Sequence, residues 1–247
     1  MLFSYLKADF LKTKHLSIRT AHLLIPIVTP LIFIAYYSYA PWDDYAKVDI
    51  YYQVLGMALP FLIGLFCAIL SEQEQSAGYF QTMLMSTKKA IPFLSKLLLL
   101  LMFCAGALLV ASTIFGVAFQ FGLHGKAVEF AFYPLAALVM FVSSIPLYLL
   151  HLYLSFCLNK GVSIGLGIVE SVLSALFLTG LGEPIWKYVP SVWPARAVTT
   201  FYAAYNGEMA ACVELKQVAC ISFFVIVIGA IAYLFWACRW EGSRIAD

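Results

Sequence analysis

Leu97-Leu98-Leu99-Leu100-Leu101 opens an apolar run that continues to Phe119 without one charged residue. Roughly 20 apolar residues cross a bilayer as a helix. Only helices and closed barrels satisfy their backbone groups in lipid. Barrel strands alternate apolar and polar residues, and this run does not alternate, so it is a transmembrane helix. Five further stretches qualify on the same grounds: Ala21–Ala40, Gln53–Ser71, Phe132–Cys157, Val162–Leu181 and Gln217–Cys238. Among the six, only Val162–Leu181 holds a charge, Glu170. The expected fold is all-α: a single polytopic domain, residues 1–247, with six transmembrane helices.

Composition agrees. The chain of 247 residues is 63% hydrophobic and 11% charged, whereas soluble domains run near 45–50% and about 25%. These values exclude disorder, a basic nucleic-acid surface and a disulfide scaffold. The first apolar run begins after twenty residues without a small-x-small cleavage pattern, so no cleaved signal peptide is expected. The six cysteines (67, 104, 157, 212, 220, 238) show no metal spacing, and most lie in apolar runs. A Cys212–Cys220 disulfide is the one pairing open.

Basic residues concentrate on cytoplasmic loops. With both termini inside, the inner side holds Lys7, Lys12, Lys14, Arg19, Lys88, Lys89, Lys96, Lys160, Arg239 and Arg244. The outer side holds only Lys47, Lys126, Lys187, Arg196 and Lys216. That bias predicts a multi-pass membrane protein with both ends in the cytoplasm.

Residues 1–20 place Leu2, Phe3, Leu6 and Phe10 on one helical face, with Lys7, Lys12 and Lys14 away from it. They read either as a helix lying in the inner interface near anionic headgroups or as a basic anchor that only fixes topology. The inner connection 72–96 is richer. Glu72 and Glu74 open it, Gly78 permits a bend, and Tyr79, Phe80, Met83, Leu84 and Met85 follow at helical spacing before Lys88-Lys89. This predicts a short helix across the cytoplasmic face, able to fill a groove on a soluble partner or serving as an ordinary interfacial loop.

Glu74-x-x-x-Gly78, followed by Met83, Leu84 and Lys88-Lys89, resembles the coupling segment of ABC type 2 permeases. Tyr5-Leu6-Lys7-Ala8-Asp9-Phe10-Leu11-Lys12-Thr13-Lys14 and Val189-Pro190-Ser191-Val192-Trp193-Pro194-Ala195-Arg196 are similar to the subgroup that protects bacteria from lantibiotics. The resemblance implies a permease subunit whose residues Glu72, Glu74, Gly78, Tyr79, Phe80 and Met83 dock onto a separate nucleotide-binding ATPase. It further implies a second, non-identical permease and export of an amphiphilic cationic peptide. The alternatives are another amphiphile, such as a bacitracin-like peptide or a lipid, or a peptide-sensing membrane subunit. The sequence holds no G-x-x-x-x-G-K-[ST] loop. The chain is therefore expected to be no enzyme, with no cofactor of its own and no metal, and with ATP and Mg bound by the partner.

Glu170 sits near mid-membrane, where a charge costs on the order of 2.5–3.5 kcal/mol. It faces protein or water, or is protonated. It reads either as part of a path for a cationic substrate or as a structural partner of Ser143, Ser144 or Tyr148 in the fourth crossing. Gly161-x-x-x-Gly165 and Ser163 favour close packing of its helix. Residues 182–216 carry Trp186, Tyr188, Trp193, Phe201, Tyr202 and Tyr205, interrupted by Pro184, Pro190 and Pro194. They read as amphipathic helices at the outer leaflet or re-entering it, either as a passive aromatic belt or as a lateral gate in which Trp186 and Trp193 join Glu170 along the substrate path. His22, His124 and His151 are scattered; a bis-His haem and an intramembrane protease both lack the constellations they need.

Overall fold

The computed structural model describes residues 1–242; Arg244, one of the basic residues assigned above to the inner side, lies outside them. Among the described residues every regular element is helical: α1 (Leu2–Lys12), α2 (Ser17–Tyr37), α3 (Asp44–Ser76), α4 (Gln81–Leu84), α5 (Ala90–Val117), α6 (Phe132–Cys157), α7 (Lys160–Phe177), α8 (Trp193–Tyr205) and α9 (Met209–Arg239). Six of them, α2, α3, α5, α6, α7 and α9, are long and apolar enough to cross a membrane. The segment Ala118–Gly122 prolongs α5 by one π-helical turn. The bundle has a terminal end, carrying α1, α4 and the last turn of α9, and an opposite end, carrying the turns before and after α8.

The apolar runs understate α3. It spans 33 residues, about 50 Å at 1.5 Å per residue, well beyond a hydrocarbon core of about 30 Å. Its polar extensions reach Asp44 at one end and Ser76 at the other. Asp43 caps its start, accepting a 2.7 Å hydrogen bond from the Ala46 amide. Pro60 removes one intrahelical bond, and the next amide, Phe61 N–H, donates to Ser171 Oγ of α7 at 3.1 Å.

Gly56, Pro60 and Gly64 fall at i, i+4 and i+8 along one line of α3. A Cβ on Gly56 would strike the Ala195 backbone of α8, and one on Gly64 would lie 2.6 Å from Ser163 O of α7. From the other side, a Cβ on Gly167 would lie 2.8 Å from Pro60 O. The close seam therefore uses Gly56, Gly64, Ser163 and Gly167. Gly165, expected from the sequence to sit at the contact, has open space around it.

The membrane core is aromatic where α3, α5 and α6 meet. Tyr51 stacks on Phe115 at 3.8 Å, and Phe115 stacks on Phe119 at 5.5 Å. Tyr51 also donates its hydroxyl hydrogen to Ala111 O at 3.0 Å. α8 runs antiparallel to the first part of α3, with Ala195 against Gly56 and Tyr202 beside Tyr45. A smaller cluster of Phe177, Trp186, Val192, Trp193, Ala197 and Val218 joins α7, the turns before α8, and α9. Cys212 and Cys220 both lie on α9, eight residues or about 12 Å apart, and all six cysteines are free thiols; the disulfide left open above does not form within the chain.

Gly56→Ala is expected to destabilise the protein by about 1–3 kcal/mol through overpacking, because the obstructing atoms are backbone. Gly106→Ala, where nothing lies within 4 Å, is expected to leave stability unchanged or slightly raised. Thermal unfolding of the two variants in detergent checks the contrast.

Candidate functional site

At the terminal end the chain between the second and third crossings does not form one continuous helix. α3 persists to Ser76, and then Gly78 (φ 132°), Tyr79 (φ 50°) and Phe80 (φ 65°) reverse the chain before the single turn of α4. Two consecutive bulky residues in the left-handed region are costly. The turn is held because Phe80 is buried, edge-on to Trp240 at 5.4 Å and tilted against Phe156 at 5.8 Å. The reversal splits the expected apolar ridge. Phe80 and Met83 point inward, whereas Tyr79 is 77% exposed and Met85 is 83% exposed.

Glu72 and Glu74, two residues apart, have different fates. Glu72 is exposed and pairs with Lys160 in the α6–α7 turn. Glu74 is only 3% exposed and accepts hydrogen bonds from Lys96 Nζ and Lys12 Nζ, each at 2.8 Å. Lys96 is itself 1% exposed and also donates to Asp9 Oδ1 at 3.0 Å. Ser95 Oγ donates to the other Asp9 oxygen at 2.6 Å. Two lysines and two carboxylates thus form a neutral network that joins α1, α3 and α5. A buried charge needs such pairing.

The sequence reading counted Lys96 with the loop charges, and the structure buries it. α1 is also rotated relative to the expected apolar face. Asp9 and Thr13 are buried, while Phe3 is turned outward and Phe10 is exposed beneath the Arg19 guanidinium at 4.0 Å. Tyr5 Oη donates to Ser86 Oγ at 3.2 Å, tying α1 to the segment after α4.

A second polar group lies within the bundle. Glu170 Oε2 is 2.8 Å from His151 Nε2. His151 Nδ1 is 3.0 Å from Ser163 Oγ, and Ser163 Oγ donates to Gly64 O at 3.0 Å. Glu170 is thus hydrogen-bonded to His151, and through the ring to Ser163, so it is not a lone carboxyl in the membrane, which lowers its insertion cost.

The partner of Glu170 is on the fourth crossing, as expected, but it is His151. Ser143 and Ser144 bond instead to the backbone oxygens of Val139 and Met140 at 2.7 and 2.6 Å. A signal for the true partner was present: His151 and Glu170 flank the tight α6–α7 turn at Leu158-Asn159, each within about three helical turns of it.

Trp186 and Trp193 are fully buried. Trp193 Nε1 donates to Lys187 O at 3.1 Å. Arg196 lies 5.3 Å over the Trp186 ring and 2.5 Å from Glu183. Ser174 Oγ lies 2.8 Å from both Glu170 O and Ser191 O, so the turn before α8 and the Glu170 backbone share one hydroxyl. The Trp186–Trp193 cluster meets α7 at Phe177, about two helical turns beyond Glu170. Among the described residues no group of three acidic, histidine or cysteine side chains is placed to hold a metal ion.

Lys96→Met is expected to cost about 3–5 kcal/mol, because it leaves the buried Asp9 without a counter-charge and Glu74 with Lys12 alone. At the other group, His151→Leu and Glu170→Leu are each expected to destabilise by a similar amount, and the double variant to recover most of the loss. Unfolding temperatures of the single and double variants check both expectations.

The sequence profile described as ABC-2 family transporter protein matches residues 5–175, from the middle of α1 to near the end of α7. Comparison with curated proteins and with solved structures returns no match. The matched span includes the buried charge network, the reversed turn and the His151–Glu170 pair. With six membrane-crossing helices and a profile covering more than half its length, this multi-pass membrane chain belongs to the ABC-2 transporter family.

Proposed function

We propose that the chain is the permease subunit of an ATP-driven exporter that removes lantibiotics, which are cationic amphiphilic peptides, from the bacterial cytoplasmic membrane. ATP and Mg bind a separate cytoplasmic ATPase, which docks at the terminal end of the bundle. Both chain termini lie in the cytoplasm. A second, non-identical permease completes the pathway.

The observation that carries this reading is the reversed turn. It thrusts Tyr79 and Met85 outward while Phe80 and Met83 are anchored behind them. An exposed apolar pair on a rigid support suits insertion into a groove of a soluble partner. In this reading Glu74 acts as a support, bracing the turn from inside the Lys12–Lys96 network, and Glu72, paired to Lys160, ties the support to the α6–α7 turn. α8 and the turns before it form a re-entrant wall beside Glu170, and the buried Trp186 and Trp193 shape that wall.

The peptide specificity is supported by the similarity of Tyr5–Lys14 and Val189–Arg196 to lantibiotic-protection permeases. The acidic character of the opposite end, with Asp43, Asp44 and Asp49 at the start of α3, agrees with a cationic cargo.

Tyr79→Ala combined with Met85→Ala is expected to lower lantibiotic-stimulated ATP hydrolysis by the reconstituted complex at least tenfold, with the unfolding temperature of the permease unchanged. Full stimulation by the double variant would remove the assignment. Cells carrying Glu170→Gln are expected to lose lantibiotic protection while the complex still assembles, which growth assays and pull-down of the ATPase together measure.

A further inference from the structure

Trp240 follows α9, which ends at Arg239, and its extended backbone (φ −66°, ψ 130°) turns the indole back into the bundle. The ring is 4% exposed and stands edge-on to three others: Phe80 at 5.4 Å, Phe93 at 5.1 Å and Phe156 at 6.3 Å. These rings belong to the reversed turn, the first turn of α5 and the last turn of α6. Two hydrogen bonds fix the register. The indole Nε1–H donates to Phe156 O at 3.3 Å, and Trp240 O accepts from Lys89 Nζ at 3.0 Å. Phe156 and Trp240 both lie at helix ends, where carbonyls lack intrahelical donors.

The backbone bonds of the reversed turn are local. The Tyr79 and Phe80 amides donate to Gln75 O and Glu74 O at 2.8 and 3.2 Å, and those of Met83 and Leu84 donate to Phe80 O at 2.9 and 3.0 Å. Such bonds shape the turn but do not fix its place against the crossings. They also leave the cost of two consecutive left-handed residues to be offset elsewhere. The Phe80 ring meets both needs by entering the bundle, and Phe156 and Trp240 form its seat. Without the indole one wall of that seat is missing, and the apolar burial that opposes the backbone cost shrinks.

The same cluster anchors α9 before Trp240 is reached. Trp236 lies 4.9 Å from Phe93, and Tyr233 donates its hydroxyl hydrogen to Phe93 O at 3.3 Å. The indole is therefore carried on a helix already fixed to the start of α5, and it joins the turn to the ends of α5, α6 and α9 together. We propose that Trp240 is the positioning residue of the reversed turn, holding Phe80 inward so that Tyr79 and Met85 face outward at a fixed place. That the turn so held is presented to an ATPase rests on the proposed function; the holding does not.

Hydrogen exchange of the full chain in phosphatidylcholine nanodiscs tests the holding directly, because the Tyr79, Phe80, Met83 and Met85 amides are bonded locally and exchange when the turn opens. Trp240→Ala is expected to speed exchange across Tyr79–Met85 at least tenfold, with the middle of α3 and of α5 unchanged. Trp240→Phe, which keeps an aromatic ring, is expected to speed it at most threefold. Lys89→Met, which removes the bond to Trp240 O and leaves every ring in place, is expected to speed it about threefold. The cytoplasmic ATPase is expected to bind the Trp240→Ala nanodiscs at least fivefold more weakly than wild type, and Trp240→Phe to restore most of the loss. Unchanged exchange at Tyr79–Met85 in Trp240→Ala, or exchange raised equally throughout α3 and α5, would overturn the proposal. Should Trp240→Ala not fold, unchanged exchange there in Lys89→Met would overturn it as well. A loosened turn with undiminished ATPase binding would remove Trp240 from docking. Failure of the ATPase to bind even wild type, with the turn loosened in Trp240→Ala, would remove the transport reading and leave the holding role supported.

Discussion

The close approach of α7 and α8 to one line of α3 is the contact from which the remaining geometry follows. In hydrocarbon there is no water to drive apolar helices together, so association depends on packing and on interhelical hydrogen bonds. Gly56 and Gly64 bring the backbones into contact, and beside Pro60 the Phe61 amide bonds sideways to Ser171 of α7. Once Gly64 lies against Ser163, the Ser163 hydroxyl reaches Gly64 O, and His151 reaches Ser163 from the third side. The polar chain ending at Glu170 is thus a product of backbone proximity. A larger residue at any of these points separates the helices and disconnects it.

At the terminal end the governing force is electrostatic. Lys96 is nearly inaccessible, and in such surroundings a buried ammonium is tolerated only with matched counter-charges. Asp9 and Glu74 supply them from two other helices, so α1 cannot detach without exposing an unpaired charge. The network stands behind the reversed turn and fixes what faces outward. The firmness of the Tyr79–Met85 surface derives from groups that a docking partner would never touch.

The six crossings were legible because helix formation in lipid is decided by apolar length, a local property of the sequence. The termini of α3, α5 and α9 were less so, since their polar extensions carry no hydrophobic signature. Glu170 stood out as an isolated charge, and its partner helix was inferred. His151 stands in the sequence as one of three scattered histidines, and a lone histidine carries little weight until helix register is considered. The Asp9–Glu74–Lys96 network links residues 22 to 87 positions apart, and nothing in local pattern joins them. Trp186 and Trp193 matched the composition of an interfacial belt, yet both are fully buried; composition does not distinguish a ring facing lipid from one facing protein. Likewise the ridge from Tyr79 to Met85 has helical spacing, but the left-handed backbone at Tyr79 and Phe80 reverses the chain and sends its members to opposite sides.

The α6–α7 turn has a consequence for how this polypeptide enters the membrane. The two helices are joined by only Leu158 and Asn159, and the single acidic residue of one meets the histidine of the other across the bend. They form a helical hairpin whose one carboxyl is already hydrogen-bonded to an imidazole. During biosynthesis such a hairpin can partition into lipid as one unit, its histidine and carboxyl sheltered by each other. The nascent chain carries a hydrogen-bonding partner alongside the residue that would otherwise resist integration.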